Sequence, residues 1–258
     1  MRRLIHLVFL LIVILASACT PEQRNEVATL AAQAGQTAVA EGKKIGATQA
    51  AALQATASAR LATEAVRAIN HRWIIGLDPG HGWGGESGAA YGDLLEKDLN
   101  LAVAVKTRAI LEEYGYQVVL TRESDEVGYG LERAAQVVNE ARADVVVSIH
   151  TNSGGGTGTE ACYTYGKSTD AQSQQLATLL TENVSTTLGL ENRGIFLEND
   201  PGRCGRGRPQ LYIHDMNAPA ALVEMAFIDT DSDRSLLLNR QDDFATAIAA
   251  ALMTYLGK

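Results

Sequence analysis

Four apolar runs of strand length, rich in β-branched residues, recur along the second part of the chain. They lie at residues 73–77, 117–120, 145–149 and 221–227. The segments between the early runs repeat apolar residues at helical spacing instead. These positions are Leu99, Val103 and Leu111 in the first segment and Leu131, Ala135 and Val138 in the second. Alternating strands and helices predict one α/β domain over residues 73–258, with a largely parallel sheet covered on both faces.

The first 19 residues have the pattern of an export signal. Arg2 and Arg3 precede an apolar run that ends in small residues before Cys19, and this run is too short for a typical membrane-spanning helix. Residues 15–19 are similar to a bacterial lipobox, although Ala16 stands where leucine is preferred. We therefore expect a lipoprotein attached to a membrane through Cys19; the alternative is an ordinary signal peptide cleaved near Ala18. Either way, the rest of the chain is expected to work in the cell envelope, outside the cytoplasm.

Residues 20–72 form a different kind of segment, dominated by alanine, glutamine and threonine. Such a composition favours helix but provides little apolar surface for a core. We predict a helical or partly disordered stalk. A coiled coil that makes the protein oligomeric is the alternative, but sustained large residues at its a and d positions are lacking.

Charge and cysteine content restrict the function further. The chain has 258 residues and a net charge of −8, which argues against nucleic acid as a partner because phosphate binding needs clustered basic side chains. Besides Cys19, only Cys162 and Cys204 are present. An exported chain with two such cysteines could form a disulfide or keep two separate thiols.

Histidine follows two of the predicted strands, at His81 and at His150. A single histidine at a strand end is usually structural. Two at the same edge of a parallel sheet suggest a metal site, because imidazole is a common zinc ligand. Glu96, at the start of the next predicted helix, is the best candidate for a third ligand, although an acidic residue is also favourable at any helix N-terminus.

Glu224 is the most anomalous residue, because it lies inside the apolar run 221–227. A carboxylate on a strand buried on both faces is costly unless it is paired or functional. It is therefore a candidate general base or acid. A strand glutamate that faces solvent is the alternative.

Four ordered motifs resemble the signature blocks of the zinc-dependent N-acetylmuramoyl-L-alanine amidases (amidase type 3). They are Asp78-Pro79-Gly80-His81-Gly82, the segment 96–101, the segment 143–152 and the segment 222–227. The resemblance implies a twisted sheet flanked by helices, with His81, Glu96 and His150 as Zn²⁺ ligands and Glu224 as the catalytic carboxylate. It also implies hydrolysis of the amide between the lactyl group of N-acetylmuramic acid and L-Ala in peptidoglycan.

Other functions remain compatible with these motifs. A zinc peptidase that cuts within the stem peptide would use the same ligands, and a non-catalytic wall-binding lipoprotein would normally have lost one of them. Arg133 and Asn139 match a further pattern of the family and are expected to be structural or to support substrate binding.

One insertion departs from the family pattern, at residues 198–209. Its Arg203, Arg206 and Arg208 are interleaved with glycine. Because guanidinium groups pair well with carboxylates, we predict that this loop helps to hold the stem peptide. A solvated loop whose arginines balance nearby acidic residues is the alternative.

Overall fold

The computed structural model describes residues 73–125, 130, 132–200, 202–203 and 212–257. The predicted signal segment and stalk lie outside these residues. The strands are β1 (Ile74–Pro79), β2 (Ala90–Tyr91), β3 (Leu94–Leu95), β4 (Gln117–Leu120), β5 (Val145–Asn152), β6 (Thr159–Tyr163), β7 (Asn192–Leu197) and β8 (Ala220–Phe227). The α-helices are α1 (Glu96–Glu113), α2 (Glu132–Glu140), α3 (Asp170–Leu188), α4 (Asp231–Asn239) and α5 (Gln241–Tyr255), and a 3₁₀ helix spans Tyr212–Asp215.

Six strands form one sheet in the order β4-β1-β5-β8-β6-β7, and β2 and β3 form a separate antiparallel hairpin. Within the large sheet every neighbouring pair is parallel except β6 and β8. The prediction of a mostly parallel sheet in an α/β domain is confirmed.

All four predicted strands are present, but the prediction was incomplete. Strands β6 and β7 and the short hairpin were not predicted. Strand β5 also runs three residues further than expected, through Asn152, so that His150 lies within the strand and not in the loop after it. The extension exists because β8 continues alongside and pairs with these residues.

The two faces of the sheet pack against different helices. On one face, α1, α3 and α5 contribute side chains such as Leu99, Leu176 and Phe244 to the larger core cluster. On the other face, α2 and the 3₁₀ helix build a smaller cluster around Val138 and Ile213. Complete burial of one large apolar side chain contributes about 1.5–3 kcal/mol, so the larger cluster provides most of the stabilisation.

Among the helices that the structure describes, none has both the length and the hydrophobicity needed to cross a membrane.

Candidate active site

The alternation of side chains along the central strands places the predicted site residues on one face. On β5, Val145, Val147 and Ile149 belong to the larger cluster, whereas Val146 belongs to the smaller one. His150 continues the series of Val146, because successive side chains of a strand point to opposite faces. Likewise, Glu224 on β8 continues the series of Ala220 and Leu222, which pack in the smaller cluster. His150 and Glu224 therefore share the face that α2 and the 3₁₀ helix cover only in part.

His81 stands just beyond β1 in a strained backbone conformation, with a φ of 64°. The backbone N–H of Gly80 donates to the carbonyl of Ile149 at 2.9 Å, so the loop after β1 begins close beside β5. A Cβ on Gly80 would lie 2.2 Å from Nε2 of His150. Only glycine lets the loop approach that imidazole ring, and the approach brings His81 to within 5.0 Å of His150, measured between ring centroids.

Glu96 is the first residue of α1 and is 4% exposed. Its carboxylate accepts hydrogen bonds from the backbone N–H of Ala89 at 2.7 Å and of Thr151 at 3.0 Å. The side-chain amide of Asn100, one helical turn later, lies 3.4 Å from the same carboxylate. These donors hold the carboxylate in one orientation, directed at the two histidines.

The ligand atoms of His81, Glu96 and His150 all lie within 4.8 Å of one another. Oε2 of Glu96 is 3.3 Å from Nε2 of His81, and Oε1 is 3.0 Å from Nδ1 of His150. Zinc–ligand bonds of about 2.1 Å in a tetrahedral arrangement place neighbouring ligand atoms about 3.4 Å apart. The three residues thus fit a zinc ion, and the structure brings together the predicted ligand set.

Gly88 preserves the space for this group. A Cβ at that position would lie 2.5 Å from Oε2 of Glu96 and 2.5 Å from Cδ2 of His81. A side chain there would displace both residues from the arrangement that suits a metal.

The charges of the group are strongly coupled. Burial by itself would raise the pKa of the Glu96 carboxyl, but hydrogen bonds and charge attraction from His150 and His81 hold that pKa well below its ordinary value. Burial would lower the pKa of His81, but Glu96 and then Glu86 outweigh it and raise that pKa above 6.5.

Glu224 lies beside this group in the centre of the sheet and is 7% exposed. It is the register partner of His150 on β5 and of Glu160 on β6. Because neighbouring strands are about 4.8 Å apart, its carboxylate lies on the same face and next to the histidine. The alternative interpretation of Glu224 as a strand glutamate that faces solvent is wrong.

A second buried carboxylate, Glu160, was not predicted. It is 3% exposed and accepts hydrogen bonds from Asn152 at 3.0 Å, from Arg193 at 2.7 Å and from Arg203 at 3.3 Å. The apolar run that follows it, Ala161-Cys162-Tyr163, indicated burial but not the arginine partners. Arg203 therefore lies near Glu224, whereas Arg206 and Arg208 fall outside the described residues.

Arg122 is another buried residue near the site that was not predicted from the sequence. It is 2% exposed and donates to the backbone carbonyls of Pro79 at 2.9 Å, Gly80 at 3.2 Å and Lys97 at 2.8 Å. One guanidinium group thus ties the loop of His81 to the first turn of α1. Its position directly after a strand, at the same sheet edge as His81, was the available signal.

A hydroxyl network behind His150 was also missed. Asp78 accepts hydrogen bonds from Thr121 at 2.6 Å, from Ser148 at 2.7 Å and from the phenol of Tyr212. The Tyr212 oxygen lies 3.1 Å from Nε2 of His150. Burial, together with the negative charge of Asp78, raises the pKa of Tyr212 well above its ordinary value, so the phenol keeps its proton.

The remaining predicted residues have mainly structural surroundings. The side chain of Asn139 on α2 donates to the carbonyl of Asp215 at 2.9 Å and accepts from the N–H of Asn217 at 2.7 Å, which fixes the 3₁₀ helix. Arg133 lies 3.9 Å from Glu140 on the same helix. Cys162 is completely buried and disulfide-bonded, and both other cysteines lie outside the described residues.

The chain is similar to several known proteins. The germination-specific N-acetylmuramoyl-L-alanine amidase of Bacillus subtilis is 32% identical over 200 residues, which cover 70% of this chain and 79% of the relative. An endolysin of Bacillus phage SPP1 is 34% identical, over 68% of this chain and 62% of its own length. Among solved structures, the catalytic domain of CwlV, an amidase from Bacillus (Paenibacillus) polymyxa, aligns with a TM-score of 0.61 at 30% identity. This alignment covers 71% of the chain and 98% of that domain.

The sequence model of the N-acetylmuramoyl-L-alanine amidase family matches residues 75–254. This range contains all four motifs, from the loop of His81 to the strand of Glu224, and it excludes the first 74 residues. Because the match extends over most of the chain and over nearly all of the described fold, the chain belongs to the N-acetylmuramoyl-L-alanine amidase family.

Proposed function

We propose that this protein is a zinc-dependent N-acetylmuramoyl-L-alanine amidase. It hydrolyses the amide between the lactyl group of N-acetylmuramic acid and L-Ala in peptidoglycan. The observation that carries the proposal is the buried group of His81, Glu96 and His150, whose ligand atoms lie within 4.8 Å of one another and beside Glu224. Membership of the family supports the choice of bond.

His81, Glu96 and His150 hold the metal, and the donors to Glu96 keep its carboxylate oriented. When bound, zinc supplies Lewis-acid polarisation of the scissile carbonyl and acidifies a water. Glu224 accepts a proton from that water as its oxygen bonds to the carbonyl carbon. The same carboxyl then delivers the proton to the leaving nitrogen as the C–N bond breaks.

Product analysis on purified peptidoglycan tests this proposal. The amidase releases stem peptides that begin with a free L-Ala amino group and leaves the glycan strands intact. Removal of metal with a chelator should abolish release, and added zinc should restore it. New amino termini within the stem peptide would instead identify a zinc peptidase, and the absence of any product would favour a wall-binding protein without catalytic activity.

Arg203 contributes to substrate binding in this proposal. Its guanidinium group lies 4.2 Å from the centre of the Phe196 ring and 3.3 Å from the Glu160 carboxylate, which neighbours Glu224 across the sheet. Arg193 also binds Glu160, so Arg203 shares this carboxylate with a second cation. Stem peptides carry carboxylates, and Arg206 and Arg208 of the same insertion would add further positive charge for them to pair with.

The proposal for location rests on the sequence of residues 1–72. An export signal and a lipid on Cys19 would attach the protein to a membrane, and residues 20–72 would act as a spacer toward the cell wall. Cys19→Ala tests this, because a lipid thioether needs that sulfur. The variant should lose its membrane association; unchanged fractionation and electrophoretic mobility would support an ordinary signal peptide.

A further inference from the structure

Tyr212 and Asp78 lie behind His150, on the side away from Glu96, and are joined to it by a chain of hydrogen bonds. The two ring nitrogens of His150 have separate neighbours: Nδ1 is 3.0 Å from Oε1 of Glu96, and Nε2 is 3.1 Å from the phenol oxygen of Tyr212. A histidine can bind a metal through either nitrogen, and the hydrogen bond of the other nitrogen decides which one is used.

The other hydrogen bonds of Tyr212 indicate which group donates in its contact with Nε2 of His150. Tyr212 has one hydroxyl proton, which it donates to Asp78. Ser148 donates to the same carboxylate oxygen at 2.7 Å. Once its proton is given to Asp78, the Tyr212 oxygen can accept from Nε2 of His150, and an imidazole that donates through Nε2 keeps Nδ1, the nitrogen beside Glu96, available for a metal.

We propose that Asp78 and Tyr212 form a relay that fixes His150 as a metal ligand through Nδ1. Tyr212 is a positioning residue in this relay, since it acts on the metal site only through the imidazole. The inference rests on the metal site of the proposed function. Its chemistry resembles the carboxylate–histidine–metal arrangement of many zinc sites, with a phenol placed between carboxylate and imidazole.

The fold holds Tyr212 firmly enough for this role. Its ring packs against the smaller core cluster. The 3₁₀ helix that it begins is bound to α2 through Asn139, and Nζ of Lys167 donates to the carbonyl of His214 at 2.6 Å. The carboxylate at the other end, Asp78, is completely buried on β1. Tyr212 and Asp78, the two residues behind His150, are therefore both held by packed elements.

The test compares the full-length wild-type protein with Tyr212→Phe, which removes one oxygen and keeps the ring. Zinc affinity is measured by competition with a chromophoric chelator. We expect the dissociation constant to rise about 10- to 100-fold, the usual effect of losing an outer-shell partner of a ligand. Tyr255→Phe is the matched control, because Tyr255 packs against the larger core cluster; its zinc affinity should equal that of the wild type.

A second measurement reports on His150 directly. Nitrogen NMR of the zinc-bound wild type should show that His150 binds through Nδ1 and carries a slowly exchanging proton on Nε2. In Tyr212→Phe this proton should exchange faster. Binding through Nε2, or an affinity in Tyr212→Phe within twofold of the wild type, would overturn the relay alone. A wild-type protein that binds no zinc would overturn the proposed function as well.

Discussion

The two faces of the central sheet have different roles, although the same strands build both. One face packs into the larger core cluster, and the other carries the residues of the candidate active site. On β5, Ile149 points into the larger core cluster, and its neighbour His150 points toward His81 and Glu96. On β8, Val223 and Glu224 make the same division. One face is mainly apolar, whereas the other carries the ionisable side chains Asp78, His150, Glu160 and Glu224 as well as Ser148, all of them buried. Substitutions at two adjacent residues of one strand should therefore have different effects: one should lower stability and the other should impair metal binding or hydrolysis.

The largest effect is expected from Glu224→Gln. The amide is nearly isosteric but cannot accept the proton of water, so kcat on peptidoglycan should fall about 10²- to 10⁴-fold. Zinc content and the thermal unfolding midpoint should stay close to wild type. Glu140→Gln on the exposed side of α2 is the control for charge loss. Near-normal hydrolysis by Glu224→Gln would make Glu224 a structural residue.

Ile149→Ala and His150→Ala test the division at adjacent residues. Ile149→Ala leaves a cavity in the larger core and should lower the free energy of unfolding by about 2–5 kcal/mol, with zinc stoichiometry unchanged. His150→Ala should lose most of its zinc because only two ligands remain, and His81→Ala should do the same. Denaturant unfolding and metal analysis of the purified variants provide both measurements.

If His150→Ala and His81→Ala retained a full complement of zinc, the ligand assignment would be wrong. If Ile149→Ala instead released zinc while its stability was normal, the two faces would not be separate.

The pH dependence of zinc binding should reflect His81. Its raised pKa means that a proton must leave before the metal binds, so affinity should fall about tenfold per pH unit below that pKa. In the metal-free protein, the contribution of His81 to stability is complete below about pH 6.5 and is lost as pH rises through the folded-state pKa.

Glu86→Gln sharpens this prediction, because Glu86 lies 3.4 Å from Nδ1 of His81 and helps to raise its pKa. The break in a plot of zinc affinity against pH should move to lower pH, as measured by chelator competition from pH 5.5 to 8. An unmoved break would show that Glu86 does not act on the ligand.

The smallest effect is expected at the rim. Arg203 is about one-third exposed, so Arg203→Gln should raise the apparent KM on peptidoglycan only about two- to fivefold, in line with the strength of exposed ion pairs. The increase should shrink at high salt because of screening. The control variant is Arg108→Gln on α1, which removes an exposed ion pair with Glu123. It should leave KM unchanged. Identical kinetics of both variants at low salt would exclude a role in binding.

The candidate site residues could be identified from the sequence where they differ from the residue pattern of their own segment. His81, Glu96, His150 and Glu224 each stand out against the apolar pattern of their own segment, and the strands beside them were predicted. The partners of these residues have no such signal. Tyr212 reaches Asp78 across 134 positions, and only the folded sheet brings them together.

Strand order explains the other omissions. Strand β6 carries Glu160 inside a short run, and its antiparallel pairing with β8 depends on a connection that no local pattern specifies. The register that sets Glu224 between His150 and Glu160 is a property of three strands together. Periodicity identifies a strand, but its neighbours are chosen by packing.

The position of β8 has a consequence for how the chain acquires activity during synthesis. It is the last strand in sequence, yet it inserts between β5 and β6 in the middle of the sheet. Pairings over such sequence separations form slowly, and β8 alone brings Glu224 to the histidines. A nascent chain that has not yet released this strand has neither a complete sheet nor Glu224 beside the histidines. We therefore expect the arrangement needed for hydrolysis to form in the same event that completes the fold.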